Sequence, residues 1–198
     1  MRSKRLQNAD KPVHFTGANP RQECVGMSAE VYWIEGLLRG RLAIMARPRA
    51  GDWLHDEIAR WAAENIDIVV SLLEPAEVTE LQLGEEATIC RERGIDLISF
   101  PIADRSVPES LQETIEFARL LAGKINEQKT VAIHCRAGIG RSAVMAACVM
   151  VMLGTEPDLA LGHISDARRL KVPDTDEQRR WVSQFREACE KADVRPQL

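Results

Sequence analysis

Residues 131–142 read Val-Ala-Ile-His-Cys-Arg-Ala-Gly-Ile-Gly-Arg-Ser, and no other stretch restricts the fold as much. A β-branched apolar run ends at His134 and Cys135. Two glycines follow, Gly138 and Gly140, and Arg141-Ser142 opens an apolar segment from Ala143 to Leu153 that is rich in Ala and Met. The order is strand, tight glycine-containing loop, helix. Glycine permits the positive φ and close approach that such a loop needs.

The junction has a definite electrostatic character. A helix N-terminus presents unpaired backbone N–H groups and the positive end of the macrodipole. Successive amides in a tight loop curl into an anion-binding nest. The backbone of Arg136, Ala137, Gly138, Ile139 and Gly140 is therefore the candidate cradle for a tetrahedral oxyanion. Arg141 adds a planar fork able to hold two anion oxygens. Cys135 sits at the mouth of the loop, where helix amides and a nearby cation favour the thiolate, the reactive form of a cysteine. Ser142 is placed to hydrogen-bond the sulfur and help it leave in a second step. His134 is expected to order the loop by hydrogen bonding rather than act as a base. These features together point to attack on phosphorus, a cysteinyl-phosphate intermediate and its hydrolysis.

Other readings of the segment are weaker. The nucleotide loop G-x-x-x-x-G-K-[ST] is absent. No C-x-x-C or H-x-x-x-H spacing supplies metal ligands, so neither a metal nor another cofactor is expected. An inert buried cysteine beside a plain turn would not account for His134, both glycines, Arg141 and Ser142 arriving together.

His134-Cys135-x-x-Gly138-x-x-Arg141-Ser142 resembles the signature loop of the cysteine-based protein tyrosine phosphatase superfamily. The order of elements over about Val31 to Ala188 is similar to the compact dual-specificity branch, especially the cyclin-dependent-kinase-associated and bacterial dual-specificity-like phosphatases. The resemblance implies a metal-independent phosphomonoester hydrolase acting on phosphotyrosine in a phosphorylated protein, with phosphoserine and phosphothreonine as further substrates. It also implies a general acid on a loop upstream of the cysteine. Asp104, in Pro101-Ile102-Ala103-Asp104-Arg105-Ser106-Val107-Pro108, fits that place, 31 positions before Cys135 (135 − 104). The alternative is an ordinary turn aspartate, but no other acid follows that strand with comparable placement, and Asp104 is read as the acid. The alternatives to a protein substrate are an inositol phosphate, a phospholipid or an RNA 5′-phosphate. A non-catalytic phospho-reader is a further class, and its members usually lack the cysteine, the arginine or the acid. Arsenate reductase and rhodanese chemistry fit the loop less well.

Three other positions carry weaker signals. Asp174 and Gln178 fall in the region where tyrosine-specific members position the hydrolytic water, but Thr175-x-x-Gln178 also reads as a capping box. Arg136 either raises the positive potential for acidic substrates or is a solvated rim residue. Tyr32, the single tyrosine, lies in an apolar strand-like run and is expected to pack in the core.

The chain has 198 residues, 45% of them hydrophobic, and a net charge of −4. That suits one globular domain, and the absence of a basic excess argues against nucleic-acid binding. No apolar run reaches the roughly 20 residues of a membrane helix, so no membrane insertion is expected. The cysteines are Cys24, Cys90, Cys135, Cys148 and Cys189. An odd number without paired spacing suggests a reducing compartment, and the expected location is cytoplasmic. Cys148 and Cys189 read as core, and Cys90 is a candidate to resolve an oxidised Cys135. The expected division is a flexible arm over 1–28, a domain over 29–192 and a tail over 193–198. Within the domain, strands are expected at 31–34, 41–45, 66–73, 95–102 and 130–133. Helices are expected after Gly51-Asp52, around Leu81 to Glu92, after Ser110, after Arg141, over 158–170 and around Trp181. The fold class is α/β, a largely parallel sheet of about five strands with helices on both faces.

Overall fold

The computed structural model describes residues 30–192. The expected arm, Cys24 and the tail lie outside the described residues. Strands β1 (Val31–Ile34), β2 (Arg41–Ala46), β3 (Ile68–Ser71), β4 (Asp96–Ser99) and β5 (Thr130–Cys135) form one sheet in the order β1-β2-β5-β3-β4. Only β1 runs antiparallel to its neighbour β2; the other pairings are parallel. Central parallel strands are covered on both faces and read as continuous apolar runs, as Ile68-Val69-Val70 and Val131-Ala132-Ile133 do.

The alternation along β5 divides the molecule. Val131, Ile133 and Cys135 face one core with α4 (Leu111–Asn126), α5 (Arg141–Met152), α6 (Pro157–Arg168) and α7 (Asp176–Lys191). Ala132 faces the other core with α1 (Leu54–Ala63) and α3 (Glu86–Glu92). The expected α/β layering with helices on both faces is thus present. Every residue of α5 is buried, which explains an apolar pattern running all round the helix.

Two stretches depart from expectation. The helix expected around Leu81 to Glu92 is present only as α3, residues 81–85 being turns, and a further short helix, α2 (Pro75–Glu80), precedes it where none was expected. Proline at the first turn of α2 starts that helix rather than breaking it. The strand expected over 95–102 is shorter as a ladder. Phe100 N still donates to Ser71 O (2.9 Å) and Ile102 N to Leu72 O (3.1 Å), while Pro101 between them has no N–H to give. The chain after β4 is therefore tied to the end of β3 and delivered beside β5. Ligands in such sheets bind beyond the carboxyl ends of the strands, where Cys135 and the segment after Ile102 both lie.

Candidate active site

β5 ends at Cys135, paired with Ala46 of β2, and the chain turns at once into the loop 136–140. Gly138 makes this turn possible. Its φ is +68°, and a Cβ there would lie 2.5 Å from Met45 C and 2.6 Å from Met45 O. Gly140 is needed for a different reason: a Cβ would meet Asp174 Oδ2 at 2.5 Å and Gln178 Nε2 at 2.9 Å. The loop passes so close to β2 on one side and the α6–α7 connection on the other that side chains at these positions have no room.

The carbonyls of the loop are held from outside. Arg168 Nε donates to Gly138 O (3.1 Å) and Arg168 Nη2 to Ala137 O (3.4 Å). A trans peptide carries its C=O and N–H in opposite directions. Carbonyls turned toward Arg168 leave the following amides, of Gly138 and Ile139, turned the other way. The guanidinium of Arg168 also lies over the Tyr32 ring, 4.1 Å from its centroid. Tyr32 thus packs against the edge of the core, as expected, with its exposed side beneath this arginine.

Cys135, Arg136, Ala137, Gly140 and Arg141 line one cavity of about 190 Å³ with Asp104, Arg105 and Asp174. Cys135 Sγ and Ser142 Oγ are 3.5 Å apart at the floor. Arg141, 2% exposed, extends from the first turn of α5 into a set of acceptors. Its Nη1 donates to Glu77 Oε2 (2.6 Å) and Ile102 O (2.9 Å), and its Nη2 to Glu77 Oε1 (2.9 Å). Asp104 Oδ1 is also 2.9 Å from Nη2. Burial works against the arginine's charge. The Glu77 carboxylate, with Cys135 and Asp104 adding to it, still holds the guanidinium above its ordinary pKa. The Arg141 hydrogen bond in turn holds the Glu77 carboxyl below its ordinary range. Buried charges persist where they are paired and hydrogen-bonded, and here the fork is bidentate.

Most sequence-predicted residues thus converge: Cys135, Arg141, Asp104, Arg136, Ala137 and Gly140 line one cavity, and Ser142 is buried behind it against the Cys135 sulfur. His134 does not behave as expected. Its ring is fully buried on the opposite face of the sheet beside Trp61, with centroids 6.4 Å apart, and makes no hydrogen bond to the loop. Its Nε2 lies 3.0 Å from Glu86 Oε1, though the N–H is not aimed along that line. The ring is held by packing and by this buried carboxylate.

Gln178 caps α7 with its backbone, donating to Thr175 Oγ1 (3.1 Å). Its side chain does not close the box; Nε2 donates to Ser106 O (2.9 Å) and ties the Asp104 loop to α7. Asp174, not Gln178, lines the cavity. Cys90 lies in the core on the face away from Cys135, and burial pushes its thiol up to about 12. That is a poor position for a resolving thiol. Cys148 and Cys189 are buried as expected.

Sequence reasoning missed Glu77, Glu86, Arg168 and Glu80, the ion-pair partner of Arg136. Glu77 alone carried a signal, the reciprocal cap in which its Oε2 accepts from Glu74 N (3.1 Å).

Comparison with known proteins agrees with this geometry. Residues 43–155 match the family model described as a polymorphic toxin system, DSP-PTPase phosphatase (Tc-R-P). The chain belongs to this phosphatase family. That family lies in the dual-specificity branch of the cysteine-based protein tyrosine phosphatases. The chain is 29% identical over 109 residues to protein tyrosine phosphatase PRL-1 of Leishmania major, covering 51% of this chain and 61% of that protein. It is 26% identical over 113 residues to cyclin-dependent kinase inhibitor 3 of Homo sapiens, covering 56% and 53%. The chain thus spans little more than half the length of these relatives. A kinase-associated phosphatase shares the fold with a TM-score of 0.76 at 19% identity, covering 83% of this chain and 98% of that one. Tk-PTP gives a TM-score of 0.64 at 26% identity, covering 79% and 96%. No helix among the described residues is long and apolar enough to cross a membrane.

Proposed function

We propose that the protein hydrolyses phosphotyrosine in a phosphorylated protein, and phosphoserine and phosphothreonine with it, in the cytoplasm. The observation that carries the reading is the meeting of Cys135, Arg141 and Asp104 in one cavity. In the first step Cys135 Sγ attacks phosphorus and the P–O bond to the leaving group breaks. The proton needed by the departing oxygen comes from Asp104. In the second step a water oxygen attacks phosphorus and the P–S bond breaks. Its electron pair returns to sulfur, which Ser142 stabilises, and Asp104 takes the water proton.

Arg141 and the loop amides supply positive charge at the equatorial oxygens throughout. In the free protein Asp104 shares Arg141 Nη2 with Glu77. An entering phosphoryl group competes for that donor and displaces Asp104 toward the ester oxygen, while Glu77 keeps the fork in place. The test is metal-free hydrolysis of phosphotyrosine, phosphothreonine and inositol phosphates side by side, with Cys135→Ser as control. Turnover of the phosphotyrosine peptide, lost in the control, is expected. Turnover confined to inositol phosphates overturns the protein-substrate reading. Full activity in Cys135→Ser overturns the mechanism.

A further inference from the structure

Two arginines of the catalytic loop are held by one short helix. Glu77 and Glu80 stand one turn apart on α2 and take Arg141 and Arg136 respectively. The two pairs differ in kind. Arg141 and Glu77 are 2% and 8% exposed and bonded bidentately; Arg136 and Glu80 are 40% and 62% exposed and meet through one nitrogen and one oxygen. A buried bidentate pair is fixed, because removing either partner strands the other. An exposed pair contributes little and its partners exchange readily. Yet Arg136 is no ordinary rim residue: it follows the nucleophile directly and lines the same cavity as Cys135 and Arg141.

We infer that Arg136 is a specificity-determining residue. It exchanges Glu80 for an anionic group that the substrate carries next to its scissile phosphate. The inference rests on the phosphatase reading above and deepens it: the favoured class is a phosphopeptide with an acidic or second phosphorylated residue beside the phosphotyrosine. Glu80 occupies Arg136 when no such group is present and competes with the substrate's anion for it. Arg105, which lines the same cavity, is the competing candidate for the same anion; it adopts φ +57° and has no hydrogen bond or ion pair among the described residues.

The experiment compares kcat/KM for two phosphotyrosine peptides, one with neutral and one with acidic flanking residues, in wild type, Glu80→Gln, Arg136→Gln and Arg105→Gln. Para-nitrophenyl phosphate, which carries no flanking group, reports the basal reaction. Wild type is expected to prefer the acidic peptide. Glu80→Gln raises that preference about threefold to fivefold with the basal reaction unchanged, since one exposed pair no longer competes. Arg136→Gln abolishes the preference, and Arg105→Gln retains it. Added salt lowers the preference in wild type. Three results overturn the inference: no preference in wild type, an equal rise on all substrates in Glu80→Gln, or loss of the preference in Arg105→Gln but not in Arg136→Gln. Absence of any hydrolysis by wild type refutes the phosphatase reading instead, so the two failures are distinguishable.

Discussion

Glu77→Ala removes the carboxylate that accepts two charged hydrogen bonds from Arg141, at 2.6 and 2.9 Å. Breaking a buried pair by deleting one partner costs about 3–5 kcal/mol. Arg141 keeps Ile102 O at 2.9 Å and Asp104 Oδ1 at 2.9 Å, so the lower end, about 3 kcal/mol, applies. At roughly 2–4 °C per kcal/mol for a chain of this size, the melting temperature should fall by about 6–12 °C. Activity should fall further than stability explains, because the released guanidinium turns toward Asp104 and neither is then placed for phosphate. A loss of about a hundredfold in kcat/KM is expected below the melting transition.

The pH dependence carries a sign. The Arg141 hydrogen bond lowers the folded-state pKa of Glu77 below its ordinary 4.5. The unfolded state therefore binds the proton more readily. The pair's stabilisation is fully present above about pH 4.5 and is lost as pH falls through the lower folded value. Thermal melts of wild type and Glu77→Ala from pH 7 to pH 3 should converge at the acid end. A variant that melts within 2 °C of wild type at pH 7 and keeps kcat/KM within about threefold refutes the reasoning.

Asp104→Asn should cut kcat/KM on alkyl and unactivated phenyl phosphates by about 10²–10⁴, and far less on para-nitrophenyl phosphate. Its inhibition by inorganic phosphate should be no weaker than in wild type, since a competitor for Arg141 Nη2 is gone; equal loss of binding and turnover counts against the acid assignment. Gly138→Ala should lose about 3 kcal/mol in urea unfolding, from positive φ together with collision against the β2 backbone. A loss under about 0.5 kcal/mol would mean that the loop has room to move away from β2. Among the described cysteines, iodoacetamide should label Cys135 first and phosphate should protect it; burial raises the thiol pKa of Cys90, Cys148 and Cys189. Labelling of Cys90 at a comparable rate, read by peptide mass, contradicts that placement.

The readable and unreadable parts of this site differ in range. Residues 131–142 were legible because the cysteine, the glycine loop and the arginine that meet at the cavity follow one another within one strand–loop–helix unit. The place of Asp104 at the cavity was legible from its segment after a strand. Glu77 was not, because it lies 64 positions from Arg141 on a six-residue helix with the composition of a solvated cap. Arg168 in the last turn of α6 reads as a dipole-complementing surface cation; only the packing of α6 on β1 turns it toward the loop carbonyls. His134 misled for a related reason. The motif predicts its presence, while strand alternation puts its ring on the face opposite Cys135. The β4 region was read too long as a ladder because Phe100, Pro101 and Ile102 stay apolar after regular pairing stops at Ser99.

The most direct test is rapid quench of the enzyme during turnover of a phosphotyrosine peptide, followed by peptide mass analysis. The account predicts one phosphoryl group on the sulfur of Cys135 and none in Cys135→Ser. Hydrolysis at full rate with no phosphorylated cysteine, or a phosphoryl group on any other residue, contradicts it.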